Sequence, residues 1–119
     1  MPRVLLVEDD DKLGRQVAEG LRAAGYETEW ATRGDEAMAA DFSSFALVIL
    51  DLMLPELHGI GVCEALKGDP ETSRTKVLIV TVKGFAADRK QAAEAGADAF
   101  LAKPVSKPDF LAEVRRLLK

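Results

Sequence analysis

A chain of 119 residues, 48% of them hydrophobic, predicts one domain over residues 1–119, large enough to bury most of its surface around a single core. Acids exceed bases, 20 Asp and Glu against 16 Lys and Arg for a net charge of -4, which argues against a surface built to grip phosphate backbones and so against direct nucleic-acid binding by this domain. The single cysteine, Cys63, cannot close an internal disulfide and fits a reducing cytosol, with packing as its role.

The elements follow in chain order. VLLV, residues 4–7, is continuously apolar rather than alternating, as expected of a strand covered on both faces. EDDD follows at 8–11. Over 11–25, Leu13, Val17 and Leu21 recur every fourth residue on one helical face, and Gly25 stands where a left-handed C-terminal cap belongs. YETEW, 26–30, alternates large groups with Glu27 and Glu29, the pattern of a half-exposed edge strand, with Trp30 packing against the sheet edge. A short second helix is predicted over 34–42. ALVIL, 46–50, is the next continuous run, and Asp51 is the first residue beyond it. The third helix, 57–70, is weakened by its glycines and ended by Gly68 and Pro70. VLIV, 77–80, leads into Thr81, and an Ala-rich helix over 85–96 is stopped by Gly96. AFLA, 99–102, is followed by Lys103 and Pro104. The last helix, 106–119, has Ser106 as N-cap, Asp109 three residues on, Pro108 in its first turn and Arg115, Arg116 and Lys119 toward its end. No apolar stretch nears the roughly 20 residues of a membrane span. The apolar run in MPRVLLVEDD is too short for a secretory signal, so a soluble cytoplasmic protein is expected.

Strand and helix thus alternate five times. Right-handed crossovers then give a parallel five-stranded sheet with helices on both faces, a doubly wound, flavodoxin-like α/β sandwich. The edge character of the second strand favours the order 2-1-3-4-5, in which ligands bind beyond the carboxyl ends of the strands, between the first and third.

Every polar group of chemical interest follows a strand at that end: Glu8 and Asp9, Asp51, Thr81, and Lys103. Each alone reads as a turn former, a helix cap or a surface charge. Four together at four core strands point to a site. Glu8, Asp9 and Asp51 gathered there would repel one another, and hard carboxylate oxygens favour Mg²⁺ as the compensating cation. With the metal and the Lys103 ammonium beside it, Asp51 stays ionised and can act as a nucleophile, forming an aspartyl-phosphate. The Thr81 hydroxyl could donate to a phosphoryl oxygen.

LLVEDD, DLMLP followed by Gly59, Thr81 after VLIV, and AFLAKP stand in the order and spacing of a known family. From end to end the chain resembles a response-regulator receiver domain. The resemblance implies that Asp51 accepts a phosphoryl group from a histidine kinase or phosphotransfer protein. It implies Asp9 as a direct Mg²⁺ ligand, Glu8 as a ligand through water, the Met53 carbonyl as a further ligand, and Lys103 on the phosphoryl group. The Lys103–Pro104 peptide is usually cis in such proteins. Thr81 and Phe100 would form a switch that alters the surface of the fourth helix, fifth strand and fifth helix, toward an unidentified effector. Such a domain is a monomer or a phosphorylation-linked dimer, and it is not an enzyme in the ordinary sense.

Val82 is bulkier than the small residue usual after the hydroxyl, and Met53 and Lys83 occupy positions that influence loss of the phosphate. An apolar Met53 predicts slow dephosphorylation. His58 reads as a surface residue. An interaction module that ignores phosphate would be expected to lack an acid, the acceptor or the lysine, and all are here. A phosphatase of the haloacid-dehalogenase type wants a second acid where Met53 stands. A flavin carrier wants a hydroxyl- and glycine-rich loop where EDDD stands.

Overall fold

The computed structural model describes residues 2–54, 59–82 and 84–119. Strand and helix alternate as β1 (Arg3–Val7), α1 (Asp11–Ala23), β2 (Glu27–Ala31), α2 (Gly34–Met38), β3 (Leu47–Leu50), α3 (Gly59–Gly68), β4 (Lys76–Thr81), α4 (Ala86–Glu94), β5 (Ala99–Ala102) and α5 (Lys107–Leu117). All neighbouring strands pair parallel, in the order β2-β1-β3-β4-β5. The doubly wound sheet anticipated from the sequence is therefore present.

The continuous apolar runs are explained by two cores, one on each face of the sheet. Leu5, Val7, Val48, Leu50, Val77 and Ile79 face Ala37, Val62, Cys63, Leu66 and Ala92 of α2, α3 and α4. Their chain neighbours Val4, Leu6, Leu47, Ile49, Leu78 and Val80 face Ala18 and Leu21 of α1 and Phe110, Val114 and Leu117 of α5. With both faces covered, a polar group within the buried run of a central strand would lose its solvation, and polar residues there stand only at strand ends, as Arg3, Lys76 and Thr81 do. The edge strand β2 alternates instead, with Glu27 and Glu29 exposed and Thr28 buried.

Two helix ends confirm the glycine reading. Gly25 (φ +98°) closes α1, with its N–H donating to the Arg22 carbonyl and the Tyr26 N–H to that of Leu21. Gly96 (φ +97°) closes α4 in the same way, with Ala97 N–H donating to the Ala92 carbonyl. This pairing satisfies carbonyls that the helix end would leave open, and it needs a residue that tolerates positive φ. It also takes Tyr26 into the α1 cap, so β2 starts one residue later than predicted. At α5, Ser106 Oγ accepts the Asp109 N–H as expected of an N-cap.

The second helix differs from expectation. It stops at Met38, and a separate 3-10 turn spans Phe42–Ser44. Asp41 divides them: its Oδ1 accepts from both the backbone N–H and the hydroxyl of Ser43, a local turn that competes with helix continuation. The third helix is described from Gly59, and His58 and Lys83 lie outside the described residues.

At the N-terminal ends of the strands, Asp98 ties three elements together. Its Oδ2 accepts from the Val77 N–H at 2.8 Å and from Lys67 Nζ at 2.7 Å. Lys67 Nζ also donates to the Thr75 carbonyl, and the buried Thr75 hydroxyl donates to that of Phe45. Cys63 is buried nearby on α3, its Sγ 3.4 Å from the Ala95 carbonyl oxygen, and burial pushes its thiol up to about 11. A packed, protonated thiol is inert. Cys63 should therefore resist Ellman's reagent at pH 8 in the native protein and react at the rate of unfolding as urea is raised; prompt labelling of the native state would contradict this packing.

Candidate functional site

The four strands that form the sheet interior and its β5 edge each deliver a polar group to the same rim. Glu8, Asp51 and Lys103 are the first residues past β1, β3 and β5, and Thr81 is the last of β4. Each strand end is fixed by the cores below it, so these side chains emerge at set heights. Lys103 is further anchored by its own N–H, which donates to the Thr81 carbonyl at 2.8 Å, and the Lys103–Pro104 peptide that follows is cis.

At the centre is the Lys103 ammonium. Nζ donates to Asp51 Oδ2 at 2.8 Å and to Glu8 Oε2 at 2.9 Å. The two carboxylate oxygens therefore lie at most about 6 Å apart, within the range of strong mutual repulsion. Asp51 and Glu8 are each only 6% exposed. Burial works to lower the Lys103 pKa, but hydrogen bonds and attraction from Asp51 and Glu8 outweigh it and hold the ammonium above the ordinary lysine value. Asp51 is oriented from its other oxygen, Oδ1, which accepts the Met53 N–H at 2.8 Å. Glu8 is likewise held at both oxygens, Oε1 accepting the Asp10 N–H.

Asp9 differs from its neighbours. It is exposed, and among the described residues no hydrogen-bond or ion-pair partner holds its carboxylate. Among the described residues, too, no three His, Cys, Asp or Glu side chains gather as a metal ligand set. The three-acid cluster expected from the sequence is thus a buried pair joined by a lysine, with Asp9 on the adjoining loop. Asp10 takes a role the sequence reading left unassigned, capping α1 by accepting the Leu13 N–H at 2.9 Å. Its signal was present as the acid three residues before Leu13, the spacing of an N-cap from the N–H it accepts.

Charge counting tests whether a cation suits this rim. One ammonium faces two buried carboxylates, and the free Asp9 adds a further negative charge beside them. The excess is negative and all the donors are hard oxygens, which fits a small dication that keeps several waters. Thr81 is fully buried at the base of the same rim. Met53 and Val82, 53% and 62% exposed, form an apolar border. On the α1–α5 side the rim opens into a groove of about 870 Å³ floored by Leu6, Ile49 and Val80. Phe100 is half-buried on β5 with the Arg89 guanidinium carbon 4.8 Å from its ring centre.

With this geometry in hand, comparisons with known proteins are informative. Residues 4–115 match the family described as the response regulator receiver domain. The DNA-binding dual master transcriptional regulator RpaA of Synechocystis is 38% identical across the whole chain, which covers 50% of that protein. The chain spans about half the length of the curated relatives it matches. Among solved structures, the non-phosphorylated HemR receiver domain of Leptospira biflexa superposes with a TM-score of 0.91 at 34% identity, covering 100% of this chain and 95% of that one. The BeF3-activated DrrB receiver domain superposes at 0.87 with 28% identity, over 99% and 97% of the two chains.

Removing the ammonium should expose its structural share. Lys103→Met would leave Glu8 and Asp51 facing each other without compensation and should lower stability at pH 7 by about 2–3 kcal/mol, measured by urea denaturation. Because the folded pKa of Lys103 is raised, its contribution is fully present below the unfolded value near 10.4 and is lost as pH climbs through the higher folded one. The gap between wild type and variant should therefore stay level from about pH 7 to 9 and narrow only above about pH 10.5.

Proposed function

Because the chain belongs to the response regulator receiver domains, phosphoacceptor regulatory domains rather than classical enzymes, we propose that Asp51 is its phosphoacceptor and that Lys103, Thr81, Glu8 and Asp9 complete the phosphorylation site. The observation that carries this reading is the Lys103 ammonium lodged between Asp51 and Glu8 at a buried rim.

The chemistry asks the protein for position and charge. Asp51 attacks in line at phosphorus through a carboxylate oxygen as the donor's bond to phosphorus breaks. The Met53 N–H on Oδ1 fixes the plane of the carboxylate during that approach. Lys103, ionised throughout the neutral range, moves its hydrogen bond from Asp51 Oδ2 to a phosphoryl oxygen. The buried Thr81 supplies a hydroxyl on the adjacent strand. Asp9 and Asp51 would hold Mg²⁺ directly, with Glu8 through water and the Met53 carbonyl as a further ligand. When bound, Mg²⁺ neutralises charge on the phosphoryl oxygens. A histidine kinase or phosphotransfer protein is the donor, and the groove beside α1 and α5 gives its side chain a route to Asp51.

Phosphorylation then biases a two-state surface. Thr81 and Phe100 face each other's strands through the β4–β5 pairing, in which Thr81 registers with Ala102 and Ile79 with Phe100. Movement of the hydroxyl toward the phosphoryl group frees space for the ring, and the α4-β5-α5 face changes toward an effector. The relatives of twice this length include transcriptional regulators, so a DNA-binding effector fits better than a metabolic one. No described helix is long and apolar enough to cross a membrane.

Incubation with acetyl phosphate and Mg²⁺ should add one phosphoryl mass to the wild type and none to Asp51→Asn, read by intact mass. Equal gain in both would rule out the acceptor assignment. Chelating Mg²⁺ with EDTA before adding the donor should abolish the gain in the wild type. The apolar border at Met53 disfavours an attacking water, so the phosphoryl group should persist for minutes or longer after donor removal; decay within seconds would show that this border does not gate water.

A further inference from the structure

Trp30 is the chain's one tryptophan, and its setting ties the sheet edge to the acidic loop. Its indole Nε1–H donates to the backbone carbonyl of Glu8 at 2.9 Å. From the next residue of β2, the Ala31 carbonyl accepts the Glu8 N–H at 3.1 Å. Glu8 is therefore held on both sides of its peptide frame by two successive residues of the edge strand. The ring that does this lies across α1 at Gly14, where any Cβ would collide with it. Gly14 sits in a helix interior, where glycine is unfavourable relative to alanine. The space it leaves is filled by the indole.

The held peptide is the one on which the cation ligands are mounted. Glu8 presents its carboxylate to Lys103, and Asp9 follows directly, with its own carboxylate free of any partner among the described residues. On the far side of Asp9, the loop is pinned again by Asp10 as the α1 cap. Asp9 thus hangs between two fixed points, and Trp30 supplies one of them. We propose that Trp30 is a positioning residue for the cation site, holding the Glu8 carbonyl so that Glu8 and Asp9 are set for Mg²⁺ before the ion arrives. This rests on the assignment of Glu8, Asp9 and Asp51 above. Outer partners that orient ligands commonly govern metal affinity.

The test measures Mg²⁺ binding without any phosphodonor, by isothermal titration calorimetry on wild type and Trp30→Phe, which keeps an aromatic ring and removes the donor. The dissociation constant should rise about tenfold. The rate of phosphorylation by acetyl phosphate at saturating Mg²⁺ should stay within about twofold, because only assembly of the site is altered. Should Trp30→Phe fail to fold, benzothienylalanine incorporated at position 30 replaces the N–H with sulfur inside nearly the same shape, and the same rise is expected. An unchanged Mg²⁺ affinity in a folded protein lacking the N–H overturns the proposal. So does a loss of saturated rate in proportion to affinity, which would indicate general damage to the site. A wild type that binds no Mg²⁺ overturns the ligand assignment beneath it, and this proposal with it.

Discussion

The Lys103 ammonium between Glu8 and Asp51 is the interaction on which the rest of the rim depends. Two carboxylates this buried and this close repel one another, and the ammonium bonded to both offsets that repulsion. It does not balance them fully, and the hard oxygens left over suit a small cation. The lysine also comes from the sheet edge opposite β2. Its reach across β4 to β1 and β3 means that the pair forms only when the whole strand order is correct. The site is in this sense a readout of the topology.

The sheet itself was legible because its constraint is severe. With helices on both faces, the covered run of each central strand must be apolar, and VLLV, ALVIL and VLIV carry that pattern without interruption. Where the pattern breaks, at Glu8, Asp51 and Lys103, the strand has ended. The same rule that located the strands therefore located the polar groups of the rim. Gly25 and Gly96 were legible for a different reason, since a positive φ at a helix end leaves few alternatives to glycine.

What the sequence did not disclose depends on side chains that act on the backbone. Asp41 opening a separate 3-10 turn after α2 is one case: an acid in a helical window is unremarkable until its oxygen is seen taking the Ser43 N–H. The separation of Asp9 from the buried pair is another, because adjacent acids in EDDD look alike as letters. Only the register of β1 and the cap of α1 decide that Glu8 turns inward, Asp10 turns to the helix and Asp9 stays free. Trp30 presented the same difficulty. Its alternation with Glu27 and Glu29 announced an edge strand, yet nothing in that alternation tells that its N–H reaches Glu8 or that Gly14 makes room for it.

The two ends of the sheet are built for different purposes, and the contrast bears on how a switch can work in so small a domain. At the N-terminal ends, Asp98, Lys67 and Thr75 make hydrogen bonds to backbone groups of the strands and their connections, so no partner can leave without stranding a donor or acceptor. At the carboxyl ends, Lys103 Nζ bonds side-chain carboxylate oxygens, contacts that can change without stranding a strand N–H or carbonyl. The Arg89 guanidinium over Phe100 is similarly exchangeable, since it rests on a ring face at a partly exposed site. Rigid backbone clamps stand at one end and charge contacts at the other; under the proposed assignment of Asp51, a local change there would move side chains on β4, β5 and α4 while the strand pairing stays in place.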